Sequence, residues 1–421
     1  MPFQRAVCSF LFLAVTVPAG ADVFPLAADP TYVALEAELR ARSPEIQAEA
    51  AAWTAARARI PQAGALPDPE LRFEYEYGGE GLAPGSNDDA GVGVGFSQVL
   101  PGPGKRGLRE DVARAGARRV GHDVERTQVE LVYRLRRAYA DLLLARENLA
   151  LLEDQRRATR DIEELTRSRY AVGLAQQSDV LRAQAEIARL EQMRYHEEGL
   201  EGAALAEINR LLARPAGAPL DGTPRLTAMD VGAVLVPERE VVIAGLDARS
   251  PALQAALVVI DEARAVRDLA RKDRGPDYVL EARYIHRGSL PPMATAGLGI
   301  VLPIHRGRKQ SQALLEAEAR LLSQQRAAEA MSLRARASVE RALLDLRAAL
   351  LEARAYSQGV LAVDALAVES ALASFQAGKA PFVAVLEAHN TLYRDRWEHA
   401  LLSFHVLWHS ASLDAMGVVT E

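Results

Sequence analysis

The sequence has little cysteine, few aromatic residues and no long basic run. The one cysteine in 421 residues, Cys8, precedes most of an N-terminal apolar run, so it cannot become the lipidated first residue of a mature lipoprotein. Aromatic residues make up 5% of the chain and alanine is abundant, a bias that favours long helices over β-sandwiches. The formal net charge of −6 and the lack of a basic run argue against a nucleic-acid partner.

Recognised catalytic and cofactor motifs are also absent. There is no HExxH, no GxSxG and no dinucleotide-binding fingerprint between a strand and a helix, so we predict neither enzyme activity nor a cofactor. The glycine-rich stretch PGPGKR is not a phosphate loop, because Val99 stands at the first glycine position and Arg106 at the Ser/Thr position. His405 and His409 have a spacing that can bind a divalent metal, yet no carboxylate or cysteine completes the set, and we predict no metal site.

The first 21 residues have the features of a secretory signal peptide. Arg5 provides a positive start, residues 10–17 form an apolar run, and the small residues AGA at 19–21 form a cleavage site. We therefore expect an exported protein. No later run of about 18 to 20 apolar residues follows, so we expect no transmembrane helix, and any entry into a membrane would use strands.

Alternating apolar and polar residues predict four strands. In LPDPELRFEYEYGG, charged residues occupy one face and the opposite face is apolar. We expect this apolar face to contact lipid; it consists of Leu71, Phe73, Tyr75 and Tyr77. GVGVGFSQVL continues the alternation after a loop, and YVLEARYI and TAGLGIVLPI form a second pair of strands.

Long helices occupy most of the remaining chain. Residues 31–62 and 178–213 are helical in period, and residues 104–169 and 309–375 contain no proline. Two of these stretches carry heptad seams typical of coiled coils, namely Leu131, Leu135, Ala138, Leu142, Ala145, Leu149 and Leu152, and Val339, Leu343, Leu346, Leu350 and Ala353. A helix over residues 104–169 would be about 100 Å long, whereas a compact globule of this size has a radius of gyration of about 22 Å. The molecule must therefore be elongated.

The second half of the chain repeats the first. YAVGLAQQSDVLRAQ, which begins at Tyr170, recurs 205 residues later as FQAGKAPFVAVLEAH, and ARSPEIQA recurs as ARSPALQA. Each copy contains a helix, a strand pair, a very long helix, a turn and a helix. We predict a first repeat at residues 22–213, a linker rich in proline and glycine at 214–240, and a second repeat at 241–421.

The number of strands predicts an oligomer. Each repeat offers two strands of roughly ten residues, the length that spans a bilayer when the strand is tilted. Four strands cannot close a barrel, and open strand edges are not tolerated in lipid, so several chains must pool their strands. Two chains would give eight strands, and three would give twelve, which is wide enough to leave a lumen. The fold class is therefore mainly α with membrane β.

These motifs resemble those of the TolC-type outer-membrane efflux channels. The resemblance rests on the duplicated plan, the YxxG turn followed by SDVLRAQ, and VLEAHNTLY, and it covers essentially the whole mature chain. SQVLPGPGKR is similar to the heavy-metal branch, the outer-membrane partner of cobalt-zinc-cadmium or copper-silver exporters. The resemblance implies a homotrimer in the outer membrane of a Gram-negative bacterium, with a twelve-stranded β-barrel continued by an α-helical tunnel across the periplasm. It also implies a passive export duct that serves a periplasmic adaptor and a proton-driven inner-membrane pump, with heavy-metal cations as a candidate cargo.

The two repeated stretches are the expected hairpin tips at which the adaptor docks. Glycine at 173 and 378 is needed either for a left-handed turn that ends a helix or for contact with the partner. The docking residues that we expect are Tyr170, Gly173, Leu174, Ser178, Gly378, Lys379 and Ala380. Ser178 and Asp179 have a second interpretation, in which they cap the following helix.

The resemblance also implies a gate near these tips, formed by Asp179, Glu387 and Phe375. In a trimer, Glu387 would form a ring of three carboxylates at the periplasmic mouth; the alternative is an ordinary glutamate on a helix surface. Two departures from the family pattern concern this gate. Ala384 occupies the slot of a second acidic residue, and Phe375 replaces the tyrosine that would hold Asp179, so the closed state is expected to be less tightly latched.

Two other function classes have helical hairpins. A periplasmic adaptor would show small β-domains in place of two amphipathic strand pairs, and a coiled-coil scaffold would need no strands.

The corner between strand and helix offers a separate contact with the membrane. Its basic residues, which we expect to meet lipid phosphates, are Lys105, Arg106, Arg306, Arg308 and Lys309.

Overall fold

A computed structural model describes residues 25–76, 91–229, 231–288 and 290–417 of the chain. The expected signal peptide and Tyr77 lie outside the described residues. The first half contains α1 (Pro30–Arg42), α2 (Pro44–Gly64), β1 (Glu70–Glu76), β2 (Gly91–Leu100), α3 (Lys105–Ala171) and α4 (Gln177–Leu211). The second half contains α5 (Arg239–Arg249), α6 (Pro251–Lys272), β3 (Asp277–Arg287), β4 (Leu290–Val301), α7 (Gln310–Ala355), α8 (Leu361–Gln376) and α9 (Phe382–Ala415).

Equivalent Ser-Pro pairs begin equivalent helices in the two halves. Ser43 is the N-cap of α2 and accepts a hydrogen bond from the Ile46 amide, and Ser250 is the N-cap of α6. The prediction of one helix over residues 31–62 was wrong at this point, because Pro44 disfavours a helical conformation at Ser43, whose ψ is 120°. The chain therefore turns from α1 into α2.

The very long helices are confirmed. Helix α3 has 67 residues, which corresponds to about 100 Å. Helices α7 and α8 were predicted as one helix over residues 309–375, whereas the structure joins them through a π-helical turn at Tyr356–Val360. Such a turn accommodates one extra residue in a helix and changes which side chains face its neighbour beyond it. The sequence did not predict this turn, because no proline marks an interruption of the helix in residues 309–375.

One antiparallel sheet contains all four strands in the order β1-β2-β3-β4. The central pairing, β2 with β3, joins strands from different halves of the chain, as in the pair Phe96 and Ala282. Strand β2 alternates glycine with larger residues. A Cβ atom added at Gly91 would lie 2.8 Å from Ile285, so the glycine side of β2 lets the neighbouring side chains pass over it.

The cross-strand register gives this sheet two unlike faces. One face carries the apolar residues of β1 together with their partners on β2, β3 and β4, so the alternation predicted for β1 extends across the sheet. On the other face, the Arg283 guanidinium reaches over β2 to Glu74, at 2.7 Å, and to Glu76. The exposed apolar residues of the first face are Leu71, Phe73, Tyr75, Val92, Val94, Phe96, Leu280, Tyr284, Leu298 and Ile300.

The main hydrophobic core lies where α3, α7 and α9 pack together. Both predicted heptad seams are buried there or beside it, except Leu149, which is half-buried. The segment between the halves also belongs to this core, because Leu226 and Val234 are buried in it. A buried carboxylate fixes this segment to α3. Glu147 accepts hydrogen bonds from both the Arg225 guanidinium and the Thr227 hydroxyl.

Two helical stretches meet a length and mean-hydropathy criterion for a membrane span, which the sequence analysis did not expect. They are residues 239–272 and 310–376. The first is interrupted at Ser250, where α5 ends and α6 begins. The second packs along α9 and includes the π-helical turn. Both belong to the stack of long helices.

Candidate functional site

The turn between α3 and α4 is closed by two backbone hydrogen bonds. The Gly173 amide donates to the Tyr170 carbonyl at 3.0 Å, and the Leu174 amide donates to the Arg169 carbonyl at 2.8 Å. Gly173 has φ of +76°, in the left-handed region that glycine adopts without strain. This is a Schellman-type helix end.

The turn between α8 and α9 has the same geometry. Gly378 has φ of +73°, and its amide donates to the Phe375 carbonyl at 2.9 Å. The Lys379 amide donates to the Ser374 carbonyl at 2.8 Å. Each residue in this turn is the equivalent, 205 positions later, of a residue in the first turn. The structure thus supports the turn interpretation of both glycines, and the duplicated sequence produces duplicated tips.

Most of the expected docking side chains are exposed at these tips. Leu174 has 65% of its surface exposed, and Tyr170, Ser178 and Lys379 are exposed as well. Ala380 is half-buried. A Cβ atom at Gly173 would meet no atom within 4 Å, so the space around that turn is open. The tips therefore present a free surface on the single chain.

Helix α4 begins two residues earlier than it would if Ser178 were its N-cap. Gln176 is the N-cap, and Ser178 lies in the first turn with its hydroxyl 3.2 Å from the Gln176 side chain. Asp179 does help to cap the helix, because its carboxylate accepts from the Gln176 amide at 3.4 Å. This is half of a capping-box arrangement. The carboxylate of Asp179 thus has a local structural partner.

An apolar cluster directly behind the tips joins the two hairpins. Phe375 is only 4% exposed and packs edge-on against Phe382, with ring centres 6.1 Å apart. The other buried members, on α3, α4 and α9, are Ile162, Ala183 and Val385. This set of five residues is the tip cluster. Phe375 was expected at a gate, and the structure places it inside this cluster.

Arg169 covers the tip cluster and was missed by the sequence analysis. Its guanidinium carbon lies 4.8 Å from the centre of the Phe375 ring, and its Nη1 donates to the Gln376 carbonyl at 3.0 Å. The contact combines a cation–π interaction with a hydrogen bond to the free carbonyls at the end of α8. In the sequence, the arginine precedes Tyr170 in the first repeat, whereas Ser374 precedes Phe375 in the second.

No hydrogen bond or ion pair joins the three expected gate residues to one another within the described part of the chain. Glu387 is exposed on α9, nine positions after Gly378, and forms no ion pair with any described residue. Asp179 lies in the first turn of α4, and Phe375 is covered by Arg169. The gate formed by these side chains stays a prediction.

The corner where β2 enters α3 is locked to the other repeat. Lys105 was expected to face lipid phosphates, and this was wrong. It is 3% exposed, and its ammonium group lies 2.8 Å from the Asp277 carboxylate and donates to the Gly275 carbonyl. The backbone is also close here, since a Cβ atom at Gly102 would lie 2.3 Å from the Pro276 carbonyl oxygen. Burial without a partner would be costly for an ammonium group, and Asp277 provides that partner.

The histidines of α9 lie side by side, as their spacing indicated. The rings of His405 and His409 have centres 6.2 Å apart. In the part of the chain that the structure describes, no group of three or more His, Cys, Asp or Glu side chains is arranged to hold a metal ion.

Comparisons with known proteins agree with this architecture. A family model described as outer membrane efflux protein matches residues 35–213 and 242–416. Outer membrane protein TolC of Vibrio cholerae is 25% identical over 340 residues, which cover 78% of this chain and 76% of that protein.

Solved structures share the fold at lower sequence identity. A structure of CusC has a TM-score of 0.80 at 18% identity, covering 96% of this chain and 95% of that one. The outer-membrane channel OprN has a TM-score of 0.79 at 17% sequence identity, covering 99% of this chain and 98% of that one. The outer membrane protein VceC from Vibrio cholerae has a TM-score of 0.76 at 19% identity, covering 92% of this chain and 96% of that one.

Proposed function

This chain belongs to the outer membrane efflux protein family, and we propose on that premise that it is the outer-membrane duct of a tripartite efflux system. The family is one of efflux channels and not of enzymes; its members lie in the outer membrane of Gram-negative bacteria and extend across the periplasm. In the proposed system, an inner-membrane pump driven by protons delivers the cargo, and a periplasmic adaptor connects pump and duct.

The observation that carries this proposal is the pair of matching tips. Four residues separate the end of β2 from the start of α3, and this helix reaches its tip about 100 Å away. One end of the molecule carries a sheet with an exposed apolar face, and the other end carries two free turns. This arrangement suits a protein that joins a membrane to a distant partner. The adaptor docks at the tips formed by Tyr170, Gly173, Leu174, Ser178, Gly378, Lys379 and Ala380.

The assembly that we propose is a homotrimer. Strands β1 and β4 are the edges of the four-stranded sheet in a single chain, and unpaired edges are not viable in lipid. Three chains would pair these edges into a twelve-stranded barrel. Leu71, Phe73, Tyr75 and Tyr77 then face lipid. This arrangement would also bring three copies of each hairpin around one axis.

The gate that we propose lies just behind the tips. Three copies of Glu387 form a ring of carboxylates at the periplasmic mouth, where they attract multivalent cations. Asp179 holds the start of α4, and Phe375 anchors the end of α8 in the tip cluster. Heavy-metal cations are the cargo class that the SQVLPGPGKR resemblance favours, and the likeness to CusC supports the fold alone.

Cysteine crosslinking in cells tests the docking. Leu174→Cys and Ala380→Cys should crosslink to the hairpin tip of the adaptor, whereas Leu333→Cys, an exposed position on α7, serves as the matched control. Crosslinks along the helices without any at the tips would contradict tip docking. Heat-modifiable migration on a gel and extraction from outer-membrane fractions test the barrel independently. An adaptor or a scaffold would show neither property.

A further inference from the structure

Positive charge is concentrated where the strands meet the long helices. Residues 101–109, 271–277 and 304–309 contain nine Lys or Arg and two Asp, although the whole chain has a net charge of −6. The first segment is the turn from β2 into α3 with the start of that helix, the second is the end of α6 with the turn into β3, and the third lies in the turn between β4 and α7. They come from both repeats and meet at one corner of the molecule. We call this region the basic corner.

Five of these cations line one cavity. Arg271, Lys272, Arg274 and Arg306 surround an open space of about 460 Å³, together with Lys105 and backbone of the β2–α3 turn. The Arg306 guanidinium donates to the Arg274 carbonyl at 2.8 Å, so its position beside Arg274 is fixed. The cavity is large enough for a phosphate group with its esters.

Only Lys105 among these five cations forms an ion pair with a described residue. The two carboxylates of the basic corner, Asp273 and Asp277, lie beside its ammonium group at 3.8 and 2.8 Å. The other four cavity cations form no ion pair with a described residue. Like charges that line one space repel one another, and an anion bound between them removes that repulsion.

The start of the adjacent long helices strengthens the positive potential. The first turns of α3 and α7 contain no acidic residue, and neither helix has a side-chain hydrogen bond at its N-cap. A helix N-terminus ordinarily attracts acidic side chains, because its free amides and dipole are positive. Here basic residues occupy that position, including Arg106 and Lys309.

The basic corner borders the exposed apolar end of the sheet. Ile300 and Val301 end β4, Leu302 follows, and Ile304 has 80% of its surface exposed just before Arg306. Helix α3 leads from this corner toward the tips. Under the proposed placement of the sheet in the membrane, the corner is therefore at the periplasmic end of the strands, level with lipid headgroups.

We propose that the cavity lined by Arg271, Lys272, Arg274 and Arg306 binds the phosphodiester of a phospholipid in the periplasmic leaflet. The lipid tails lie along the apolar end of β4, and the phosphate accepts hydrogen bonds from the guanidinium groups, which match its geometry. The inference rests on the membrane placement under the proposed function. It adds a specific lipid site that sets the depth of the barrel.

The test uses the full mature protein, purified in nonionic detergent and incubated with dioleoylphosphatidylglycerol or with dioleoylglycerol, which has the same tails and no phosphate. Native mass spectrometry then counts the retained lipid. We compare wild type, Arg274→Gln/Arg306→Gln and Lys272→Gln with Arg334→Gln, an exposed arginine of α7 that forms no ion pair with a described residue. A third arm adds inorganic phosphate as a competitor.

We expect wild type and Arg334→Gln to retain phosphatidylglycerol, the double variant to bind it about tenfold more weakly, and Lys272→Gln to fall between them. Equal retention by the double variant and wild type would overturn the site. Equal retention of dioleoylglycerol would show apolar contact alone, and full displacement by inorganic phosphate would show a free-anion site; either result overturns the lipid proposal. All variants should remain heat-modifiable, which separates loss of this site from failure of the proposed barrel.

Discussion

The guanidinium of Arg169 stacks 4.8 Å from the centre of the Phe375 ring, and this contact joins the ends of two hairpins that are half a chain apart. The same guanidinium donates to the Gln376 carbonyl, at the end of α8. The two tips are thus held in one unit within a single chain. Any movement that separates the hairpins must break this contact.

Replacing Arg169 by glutamine should loosen the second tip. The change removes a cation–π interaction of about 1 kcal/mol, so amides 374–380 should exchange hydrogen about fivefold faster by local opening. Hydrogen exchange with mass spectrometry measures this. Arg167→Gln is the control, because Arg167 is exposed and its ion pair among the described residues is with Glu163 on the same helix. Unchanged exchange in Arg169→Gln would show that the contact does not hold the tip.

Alanine at either tip glycine should destabilise the protein through backbone strain. Gly173 and Gly378 have positive φ, and an L-residue in this region costs about 1–2 kcal/mol. Steric contact adds little, since the nearest atom to a Cβ at Gly378 is an Arg169 nitrogen at 3.8 Å. Gly199→Ala, in the middle of α4 with open space around it, should instead stabilise by about 0.5–1 kcal/mol. Denaturant unfolding should therefore show a lower free energy of unfolding for the two tip variants and a higher one for Gly199→Ala.

The buried carboxylate of Glu147 should make stability depend on acid pH. Burial raises its pKa, but hydrogen bonds and charge from Arg225 and Thr227 outweigh burial, so the pKa lies below its ordinary value of 4.5. The pair therefore stabilises the fold above about pH 4.5, and the effect is lost as the pH falls through the lowered pKa.

Glu147→Gln should cost about 2 kcal/mol at neutral pH, because it weakens several charged hydrogen bonds. The difference from wild type should shrink as the pH falls below 4.5. Thermal unfolding across this range measures both effects. Glu316→Gln is the control, since the exposed pair of Glu316 with Arg320 contributes little. A difference that stays constant with pH would mean that Glu147 stabilises without titrating.

Neutralising Glu387 should weaken block of the channel by cations. In the proposed trimer, three Glu387 carboxylates near the axis would bind a divalent or trivalent cation, and Glu387→Gln should remove that charge while leaving assembly intact. Single-channel recording in planar bilayers, with the cation on the periplasmic side, measures the block. Glu398 is an exposed glutamate further along α9, and the cation should block the Glu398→Gln channel as strongly as it blocks wild type. Equal block in Glu387→Gln would leave Glu387 as an ordinary helix-surface residue.

A charge on the apolar face of the sheet should prevent assembly. Phe73 is 78% exposed in the single chain, and an arginine near the bilayer midplane costs about 2–4 kcal/mol. The matched control is Ser97→Arg, because the register places Ser97 between Glu70 and Glu281 on the opposite face. Recovery of heat-modifiable trimer from outer membranes measures assembly. If Phe73→Arg assembles as well as Ser97→Arg, the assigned facing is wrong.

Local patterns in the sequence predicted most of the fold. The proline-free heptads predicted the extent of α3 within two residues, and strict alternation predicted that Leu71, Phe73 and Tyr75 share a face. These features depend on neighbours along the chain. The break between α1 and α2 at Ser43 also depends on neighbouring residues. It was not predicted, because the helical period continues across Ser43.

The contacts between repeats could not be predicted in this way. Lys105 and Asp277, or Arg169 and Phe375, are close only after the two halves have packed together. Nothing in the local period of either sequence segment indicates such a partner. Lys105 was for this reason expected at the lipid surface, although it is buried in an ion pair. The exposed arginines of the basic corner were partly anticipated, and their shared cavity was not.

The pairing of β2 with β3 has a consequence for the origin of this architecture. This pairing joins the second strand of the first repeat to the first strand of the second repeat. The outer strands β1 and β4 are the equivalents of β3 and β2, and their outer edges are unpaired within the described sheet. A half-length ancestor with one strand pair would have presented two such edges to identical copies. Six half-length chains would then enclose as many strands as three of the present ones. If the protein is the trimer proposed above, gene fusion would have converted a sixfold ring into a threefold ring. The two tips would then have been free to diverge, since Arg169 in the first repeat corresponds to Ser374 in the second.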